Sequence, residues 1–217
     1  MHFLSHYYVE LPNDNPLFVT ALAIPDLCAN FSKIYNSVIK KSVLTVKRLE
    51  PIQQGIEAHF AADKRFHQSA FFNEYLDLLL QAFIHGGLNR ERLRLSVIAH
   101  LGIELLIDRQ IVIQEPEICT TYYRLIHKAD QIMLSEYFDI LLLEAAKKNF
   151  LARFNSFKQR QFIMLFIELH YLVFGLDRMY ATVTGTGFTE DEKGRIQLAL
   201  GNIDARIRYS WKEILKV

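Results

Sequence analysis

Two stretches of this sequence repeat metal-ligating side chains at every fourth residue within largely apolar sequence. The six residues are His59, Asp63 and His67 in the first stretch and His100, Glu104 and Asp108 in the second. Four residues advance an α-helix by one turn and about 40°, so the three side chains of each stretch share one helix face. We therefore expect two helices whose polar stripes face each other across a buried site.

The rest of the sequence also has helical periodicity, and no stretch shows a convincing two-residue alternation of the kind that predicts a strand. The predicted helices span residues 17–24, 51–66, 73–84, 89–113, 117–126, 130–154, 158–183 and 189–216. Residues 30–41 are assigned to a short helix or a loop. A chain of 217 residues can bury one sizeable core and is marginal for two domains. The sequence predicts an all-α, single-domain helical bundle over residues 1–217.

Local signals predict several helix ends. A proline disfavours helix in the residue before it, so the first predicted helix is expected to end near Pro25. Asn89 is a candidate N-cap for the helix that carries the second stripe. Thr189, with Glu192 three residues later, has the pattern of a capping box at the start of the last helix.

The composition is that of a folded protein without a general affinity for nucleic acid. Hydrophobic residues make up 51% of the chain and charged residues 23%, which argues against disorder. The formal net charge is +1, so binding to nucleic acid would need a local basic patch. Cys28 and Cys119 are far apart in the sequence, which excludes a disulfide framework and favours a reducing compartment.

No membrane insertion is expected from the sequence. The first ten residues lack the basic segment and the apolar run of a signal peptide. The most apolar later run, residues 162–176, is too short to span a bilayer and is interrupted by Glu168 and His170. We therefore expect a cytoplasmic protein.

The two polar stripes are best explained by a metal centre. Leucine and isoleucine residues surround Glu104 and Asp108, so these carboxylates are expected to be buried. A buried carboxylate needs a cation or hydrogen bonds, and imidazole and carboxylate groups are ligands of first-row divalent ions. The alternative is that Glu104 and Asp108 lie on a solvated face and that His59 is a hydrogen-bonded interior histidine.

Three short motifs add a family resemblance. The chain begins M-H-F-L-S-H, which ends at His6, and a later apolar run ends I-P-D at Asp26. A third motif, G-I-x-x-H-x-x-x-D, occupies residues 55–63. In their order and approximate spacing, the motifs resemble those of the acyl-carrier-protein phosphodiesterase family over about the first half of the chain. The resemblance implies a divergent, all-helical relative of the HD-type metal phosphohydrolases.

The resemblance also implies roles for individual residues. Metal-site or catalytic roles would fall to His6, Asp26, His59 and Asp63. His100 matches the histidine of a later aspartate–histidine pair, but Ala99 stands where the family has the aspartate. His67 likewise stands where the family has a further aspartate. Glu104 and Asp108 could supply the missing carboxylate from the next turns of the same helix.

We therefore predict a metal-dependent phosphohydrolase, most concretely a phosphodiesterase. The predicted ligands of one or two divalent ions are His6, Asp26, His59, Asp63, His67, His100, Glu104 and Asp108. Mn is favoured, with Fe or Zn as alternatives, because the donors mix histidine with carboxylate. Asp63 or Glu104 would orient the attacking water, and Arg65 and Arg109, which follow the two stripes, would hold the phosphate.

The substrate implied by the resemblance is holo acyl carrier protein, cleaved at its phosphopantetheine linkage, and another phosphoester is the alternative. Basic runs at Lys40-Lys41, Lys47-Arg48 and residues 90–94 could receive an acidic carrier protein, although such runs are usually solvated. Two other functions stay open. One is a catalytically inactive metal- or ligand-binding helical protein of the same fold, and the other is an interaction module with solvated polar stripes.

Overall fold

The computed structural model describes residues 1–28, Val38 and 46–215. Regular structure within these residues is entirely helical, so the prediction of an all-α fold is confirmed. The α-helices are α1 (Phe3–Val9), α2 (Pro16–Ala21), α3 (Ile24–Cys28), α4 (Glu50–Gln68), α5 (Ala70–His85), α6 (Leu95–Gln114), α7 (Pro116–Lys128), α8 (Gln131–Ile140), α9 (Glu144–Arg160), α10 (Leu169–Thr184), α11 (Glu190–Ile207) and α12 (Trp211–Leu215). Two 3₁₀-helices span Lys47–Leu49 and Phe162–Ile167.

The predicted signals at helix starts have different outcomes. The capping box is confirmed, because Thr189 Oγ1 accepts the Glu192 N–H at 3.3 Å and Glu192 Oε2 accepts the Thr189 N–H at 2.8 Å. The N-cap assigned to Asn89 is wrong. Its Oδ1 accepts N–H groups of Glu91 at 2.7 Å and Arg92 at 3.3 Å in a turn, and α6 begins only at residue 95.

The predicted stop near Pro25 is also wrong. The helix ends earlier, as α2 at Ala21, and Pro25 lies in the first turn of the separate helix α3. A proline fits there because the first N–H groups of a helix have no intrahelical acceptor. Asp26, which follows Pro25, is thereby placed on a helix rather than in a turn.

Two long predicted helices are each divided. Residues 130–154 form α8 and the start of α9, and the break contains Leu142 with φ of 55°. Residues 158–183 are divided after Gln161, which has φ of 45°. Neither residue is a glycine, so the sequence has no ordinary signal for these left-handed positions. The predictions for residues 30–37, residues 39–41 and Lys216 lie outside the described residues.

The chain divides into two compact units. Unit 1 consists of Met1–Ser5, Arg65–Pro116 and Ile163–Val217, and unit 2 consists of His6–Lys64 and Glu117–Phe162. The single-domain assignment of residues 1–217 and the HD-like arrangement stay predictions.

Helix α6 is the central helix of unit 1. It packs against α5, α10 and α11, and α11 also packs against α5 and α10. A Cβ at Gly102 would lie 3.0 Å from Leu200 Cδ2 and 3.2 Å from Leu79 Cδ2, so the glycine lets three helices approach closely. Because α6 is enclosed in this way, its polar residues Glu104 and Asp108 are buried within unit 1.

In unit 2, helix α4, which carries the G-I-x-x-H-x-x-x-D motif, lies against the N-terminal helix α2. Helix α9 packs against α3 and α8, and α2 contacts α3. A Cβ at Gly55 of α4 would clash with the carbonyl oxygen of Phe18 and lie 2.8 Å from Ala21 Cβ. Only a glycine therefore allows α4 to cross α2 at this distance, which brings the following turn of α4 beside the end of α2.

Both cysteines lie buried in unit 2 as free thiols. Burial raises the pKa of the Cys28 thiol to about 12, so this thiol stays protonated at neutral pH. None of the helices that the structure describes has the length and apolar character needed to cross a bilayer.

Candidate metal centres

Six of the eight predicted ligands form two clusters, one in each unit. The first cluster consists of His6, Asp26 and His59 in unit 2, and the second cluster consists of His67, His100 and Glu104 in unit 1. Within each cluster, one donor atom of every residue lies within 4.8 Å of the donor atoms of the others. The two remaining predicted ligands, Asp63 and Asp108, belong to neither cluster.

The first cluster brings together three helices. His6 lies on α1, Asp26 on α3 and His59 on α4. The imidazole Nδ1 of His59 lies 2.8 Å from the carbonyl oxygen of Leu22, so Nδ1 carries a proton and donates it. The lone pair of the neutral ring is therefore on Nε2, which lies 3.9 Å from Asp26 Oδ1. A carbonyl that orients a histidine in this way is the usual second partner of a metal-ligating imidazole.

His6 completes the first cluster by stacking on His59. The two ring centroids are 3.9 Å apart with an angle of 25° between the ring planes. His6 is fully buried and His59 is 4% exposed, whereas the Asp26 side chain is 28% exposed. Solvent or a ligand can therefore reach the cluster at its carboxylate, while the imidazoles are held inside the unit.

Local sequence explains how this cluster is positioned. Asn15 caps α2, with its Oδ1 accepting the N–H groups of Leu17 at 3.0 Å and Phe18 at 3.3 Å. The cap fixes where α2 starts and hence where its last carbonyls, including that of Leu22, point. Gly55 then lets α4 approach α2 closely, so that His59, one turn further along α4, reaches this carbonyl.

The second cluster is a triangle of three donor atoms. His67 Nε2 lies 3.1 Å from His100 Nε2 and 3.0 Å from Glu104 Oε1, and the third side, from His100 Nε2 to Glu104 Oε1, is 3.1 Å. The His67 and His100 side chains are 26% and 40% exposed, and the Glu104 side chain is 7% exposed. The carboxylate is thus buried beneath two imidazoles that reach the surface.

Glu104 is ionised in this environment. Burial alone would raise the pKa of its carboxyl, but the α-ammonium charge of Met1, 2.8 Å from Oε1, and hydrogen bonds from His100 and His67 outweigh burial. These partners hold the pKa of Glu104 well below its ordinary value. The side chain is therefore an anion at neutral pH and can serve as a ligand but not as a proton donor.

Asp108 has a different role from the one expected of a ligand. It is fully buried and accepts the backbone N–H groups of Leu4 at 3.2 Å and Ser5 at 2.7 Å. Its Oδ2 also lies 2.9 Å from Nδ1 of His2. The carboxylate therefore caps the first turn of α1 from another helix, because the first N–H groups of α1 have no intrahelical acceptor. Neither this cap nor the contact between His2 and Asp108 was predicted from the sequence.

The other predicted site residues are Asp63, Arg65 and Arg109, and they lie on α4 and α6. Asp63 is half-buried on α4, one turn beyond His59, and Arg65 is exposed near the end of the same helix. Arg109 donates from Nε to Asp204 Oδ2 at 3.1 Å, and its Nη1 donates to the carbonyl oxygens of residues 166 and 167. These contacts hold the Arg109 guanidinium inside unit 1. Substrate binding by Arg65 and Arg109 stays a prediction.

Ala99 is fully buried on α6 next to the second cluster's His100. Position 99 is therefore part of the apolar core of unit 1. A comparison with protein-family models, with characterised proteins and with solved structures found no match for this chain.

Proposed function

We propose that this protein is a metal-dependent phosphodiesterase whose divalent ion is held by the first cluster. The observation that carries the proposal is the convergence of His6, Asp26 and His59. These residues lie on three helices and up to 53 residues apart in the sequence, yet their donor atoms meet at a buried point with one side open to solvent. Each of the three also belongs to one of the motifs on which the family resemblance depends.

The donors fit a first-row divalent ion. Two imidazole nitrogens and one carboxylate oxygen match the preferences of Mn²⁺, Fe²⁺ and Zn²⁺, and a site of three protein ligands leaves positions for water and substrate. The hydrogen bond from His59 Nδ1 to the Leu22 carbonyl supports this assignment, because it leaves the lone pair on Nε2, the nitrogen that lies 3.9 Å from Asp26 Oδ1.

The residues of the cluster would bind and orient, and Asp63 would act on water. A bound divalent ion supplies Lewis acidity for the phosphoryl oxygen and lowers the pKa of a bound water. Asp63 lies one helical turn beyond His59 and is half-buried, so its carboxylate is the candidate to accept a proton from the attacking water. The apolar burial of His6 and His59 excludes bulk water from one side of the reacting group.

The substrate class depends on the family resemblance. A phosphodiester, such as the phosphopantetheine linkage of holo acyl carrier protein, is the substrate that the resemblance implies. His67 and Ala99 occupy positions at which the resembling family has aspartates, so a different phosphodiester is the second choice. Both are phosphodiesters with an oxygen that a divalent ion can polarise.

A non-catalytic metal protein is the second candidate function. The burial of Ala99 in the apolar core favours it, because no carboxylate is present at that point of α6. The two candidates differ in one measurable respect: both bind a divalent ion at the first cluster, but only the phosphodiesterase turns over a phosphodiester.

The test combines metal content with hydrolysis. Protein purified without chelator or nickel resin is analysed for metals, titrated with Mn²⁺, and assayed on bis(4-nitrophenyl) phosphate and on holo acyl carrier protein. Asp26→Asn keeps the shape of the side chain but removes its charge, and we expect Mn²⁺ affinity to fall by at least about 10- to 100-fold, with activity lost in parallel. His59→Ala should have the same effect on both measurements.

His127→Ala is the matched control in the same unit. His127 is exposed on α7 and lies outside both clusters, so its replacement should leave metal content and turnover unchanged. A wild-type protein that retains and binds no Mn²⁺, Fe²⁺ or Zn²⁺ would contradict the proposal. Binding without turnover of either substrate would leave the non-catalytic candidate in its place.

A further inference from the structure

We propose that the second cluster, His67, His100 and Glu104, binds a divalent ion of its own with octahedral coordination, of the Mn²⁺ or Fe²⁺ class. The proposal is independent of the proposed function, because all three residues lie in unit 1 and none is a ligand of the first cluster. It is carried by the triangle of donor atoms, by the burial of its carboxylate and by the exposure of its two imidazoles.

Hydrogen bonds to Glu104 leave one side of the triangle, the contact between the two imidazole nitrogens, unexplained. Its three sides are all 3.0–3.1 Å, so the angles between them are close to 60°. If both imidazoles donate from Nε2 to Glu104 Oε1, two N–H groups face each other across the 3.1 Å side between the rings. If one ring instead presents its lone pair, only one of the two can donate to the carboxylate. A cation on the axis of the triangle attracts all three lone pairs at once.

The lengths of the sides agree with octahedral ligands. Two ligands at right angles on an ion, with bonds of about 2.1 Å, are about 3.0 Å apart, whereas tetrahedral ligands with the same bonds are about 3.4 Å apart. The sides of the second cluster are 3.0–3.1 Å. Two histidines and one carboxylate on one face of an octahedron are the donor set typical of Fe²⁺ and related ions.

The charge at the centre is suited to a cation. The Glu104 carboxylate is buried, with its side chain 7% exposed, and a buried carboxylate is stabilised by a positive partner. The α-amino nitrogen of Met1 also lies 2.8 Å from Oε1, so this ammonium and a divalent ion would compete for the same oxygen. A divalent ion brings twice the charge and in addition satisfies the two imidazole nitrogens.

The exposure of the cluster leaves room for water ligands. The His67 and His100 side chains are 26% and 40% exposed, so solvent reaches two of the three residues of the cluster. An octahedral ion with three protein ligands would keep three positions for water. The second cluster therefore corresponds to an open site rather than a closed structural one.

The experiment counts ions in variants of each cluster. Bound Mn²⁺ per chain is measured in the wild type, in Asp26→Asn, in His100→Ala and in Glu104→Gln. We expect two ions in the wild type and one in each single variant, with Mn²⁺ affinity at the altered site reduced by at least about 10- to 100-fold. His85→Ala, which replaces an exposed histidine of unit 1, should keep both ions.

The results separate this proposal from the proposed function. If His100→Ala and Glu104→Gln both bind as many ions as the wild type, the second site is overturned, whatever happens to Asp26→Asn. If these two variants each lose one ion but Asp26→Asn loses none, the second site stands and the first-cluster metal does not. Glu104→Gln preserves the side-chain shape, so a loss of metal in a folded protein reports the charge and not the packing.

The coordination number is tested with Co²⁺ in the Asp26→Asn protein. Octahedral Co²⁺ has weak visible absorption and tetrahedral Co²⁺ has strong absorption, so the spectrum distinguishes the two geometries. We expect a weak visible band for Co²⁺ in the Asp26→Asn protein. The band should be absent from the double variant that also carries His100→Ala. A strong tetrahedral spectrum would overturn the octahedral assignment, and the absence of any bound Co²⁺ and Mn²⁺ in this protein would overturn the site itself.

Discussion

Asp108 connects the first turn of α1 to α6 within unit 1. Its two oxygens accept N–H groups from Leu4 and Ser5 and lie beside the His2 imidazole, all without exposure to solvent. In Asp108→Asn, an amide NH₂ group replaces one of the two carboxylate oxygens. It then faces a backbone N–H group of α1, which is also a donor. We expect the free energy of unfolding in urea to fall by about 1–3 kcal/mol, the cost of leaving a buried donor unsatisfied.

Asp130→Asn is the matched control for this substitution. Asp130 is the exposed N-cap of α8, where a single oxygen, Oδ1, accepts from Ile132 at 2.8 Å and Met133 at 3.4 Å. Asparagine is an equally good N-cap, so stability should hardly change there. Equal stabilities of Asp108→Asn and wild type would show that the cap on α1 contributes little.

Gly55 provides a second prediction for a single residue. Gly55→Ala places a methyl group against the Phe18 carbonyl and Ala21, so α4 must move away from α2. We expect a loss of stability of about 1–3 kcal/mol from overpacking, together with weaker Mn²⁺ binding at the first cluster, because His59 is displaced from the Leu22 carbonyl.

Gly194→Ala is the matched control for Gly55→Ala. Gly194 lies on the exposed face of α11, and a Cβ there would meet nothing within 4 Å. Alanine should therefore stabilise the helix by about 0.5–1 kcal/mol, the ordinary difference in helix propensity. Thermal and urea unfolding of both variants measures the difference, and equal effects at the two glycines would contradict the close approach at Gly55.

Four residues of the two clusters could be predicted because imidazoles and carboxylates at helical spacing in apolar sequence are costly without a partner, whereas His6 and Asp26 were named only through the family resemblance. His59, His67, His100 and Glu104 were singled out in this way. The role of Asp108 was not predictable, because its partners are the backbone N–H groups of α1, which every sequence has. A cap across helices depends on packing and not on residue type.

The start of α11 permits a prediction of pH dependence. The Arg92 guanidinium donates to both oxygens of Glu192, and with further hydrogen bonds from Thr189 it lowers the pKa of this carboxyl despite its partial burial. A lowered pKa means that the folded state favours the anion. The stability that Glu192 contributes is therefore full above the ordinary glutamate pKa of about 4.3 and is lost as pH falls through the lowered value.

The measurement is the difference in unfolding free energy between wild type and Glu192→Gln at several pH values. We expect a difference that is largest near neutral pH and shrinks below about pH 4. Glu190→Gln, which changes a 90% exposed side chain in the same helical turn, is the control and should show a smaller difference. A Glu192→Gln difference that did not change with pH would show that the ion pair with Arg92 does not stabilise the fold.

At the scale of whole elements, the sequence predicted some ends that depend on local chemistry and not others, since the N-cap expected at Asn89 does not form. The capping box at Thr189 works through its own hydrogen bonds and was found as expected. The breaks at Leu142 and Gln161 were missed, because both residues adopt left-handed backbone angles that side chains of these types seldom take. Tertiary packing imposes such backbone angles, and no local sequence pattern predicts them. Pro25 was misread because a proline can start a helix as well as end one.

At the scale of the molecule, periodicity predicts which side chains share a face but not which helices meet. The sequence predicted one set of ligands that included His6, Asp26 and His59 together with the residues of the second cluster. The second cluster lies in unit 1, whereas these three residues lie in unit 2. The division into the two clusters depends on how each helix packs, including the close approach allowed by Gly55. The expectation that the two stripes face each other across one site stays a prediction.

Hydrogen exchange with and without Mn²⁺ can locate metal binding in each unit. At a free Mn²⁺ concentration of about 100 times the dissociation constant, binding stabilises the folded state by about 2.7 kcal/mol. Exchange that requires opening of the ligand-bearing helices should then slow by about 100-fold. We expect this protection in peptides covering residues 16–28 and 50–64 for the first cluster, and in peptides covering residues 95–114 for the second.

Asp26→Asn makes the two contributions separable in the same experiment. Mn²⁺ should no longer protect residues 16–28 and 50–64 in this variant but should still protect residues 95–114, which carry His100 and Glu104. His100→Ala should have the reverse effect, because its own unit loses the ion while the first cluster keeps all of its donors. Protection that disappears from both sets of peptides in either variant would mean that one ion, and not two, accounts for the metal binding of this protein.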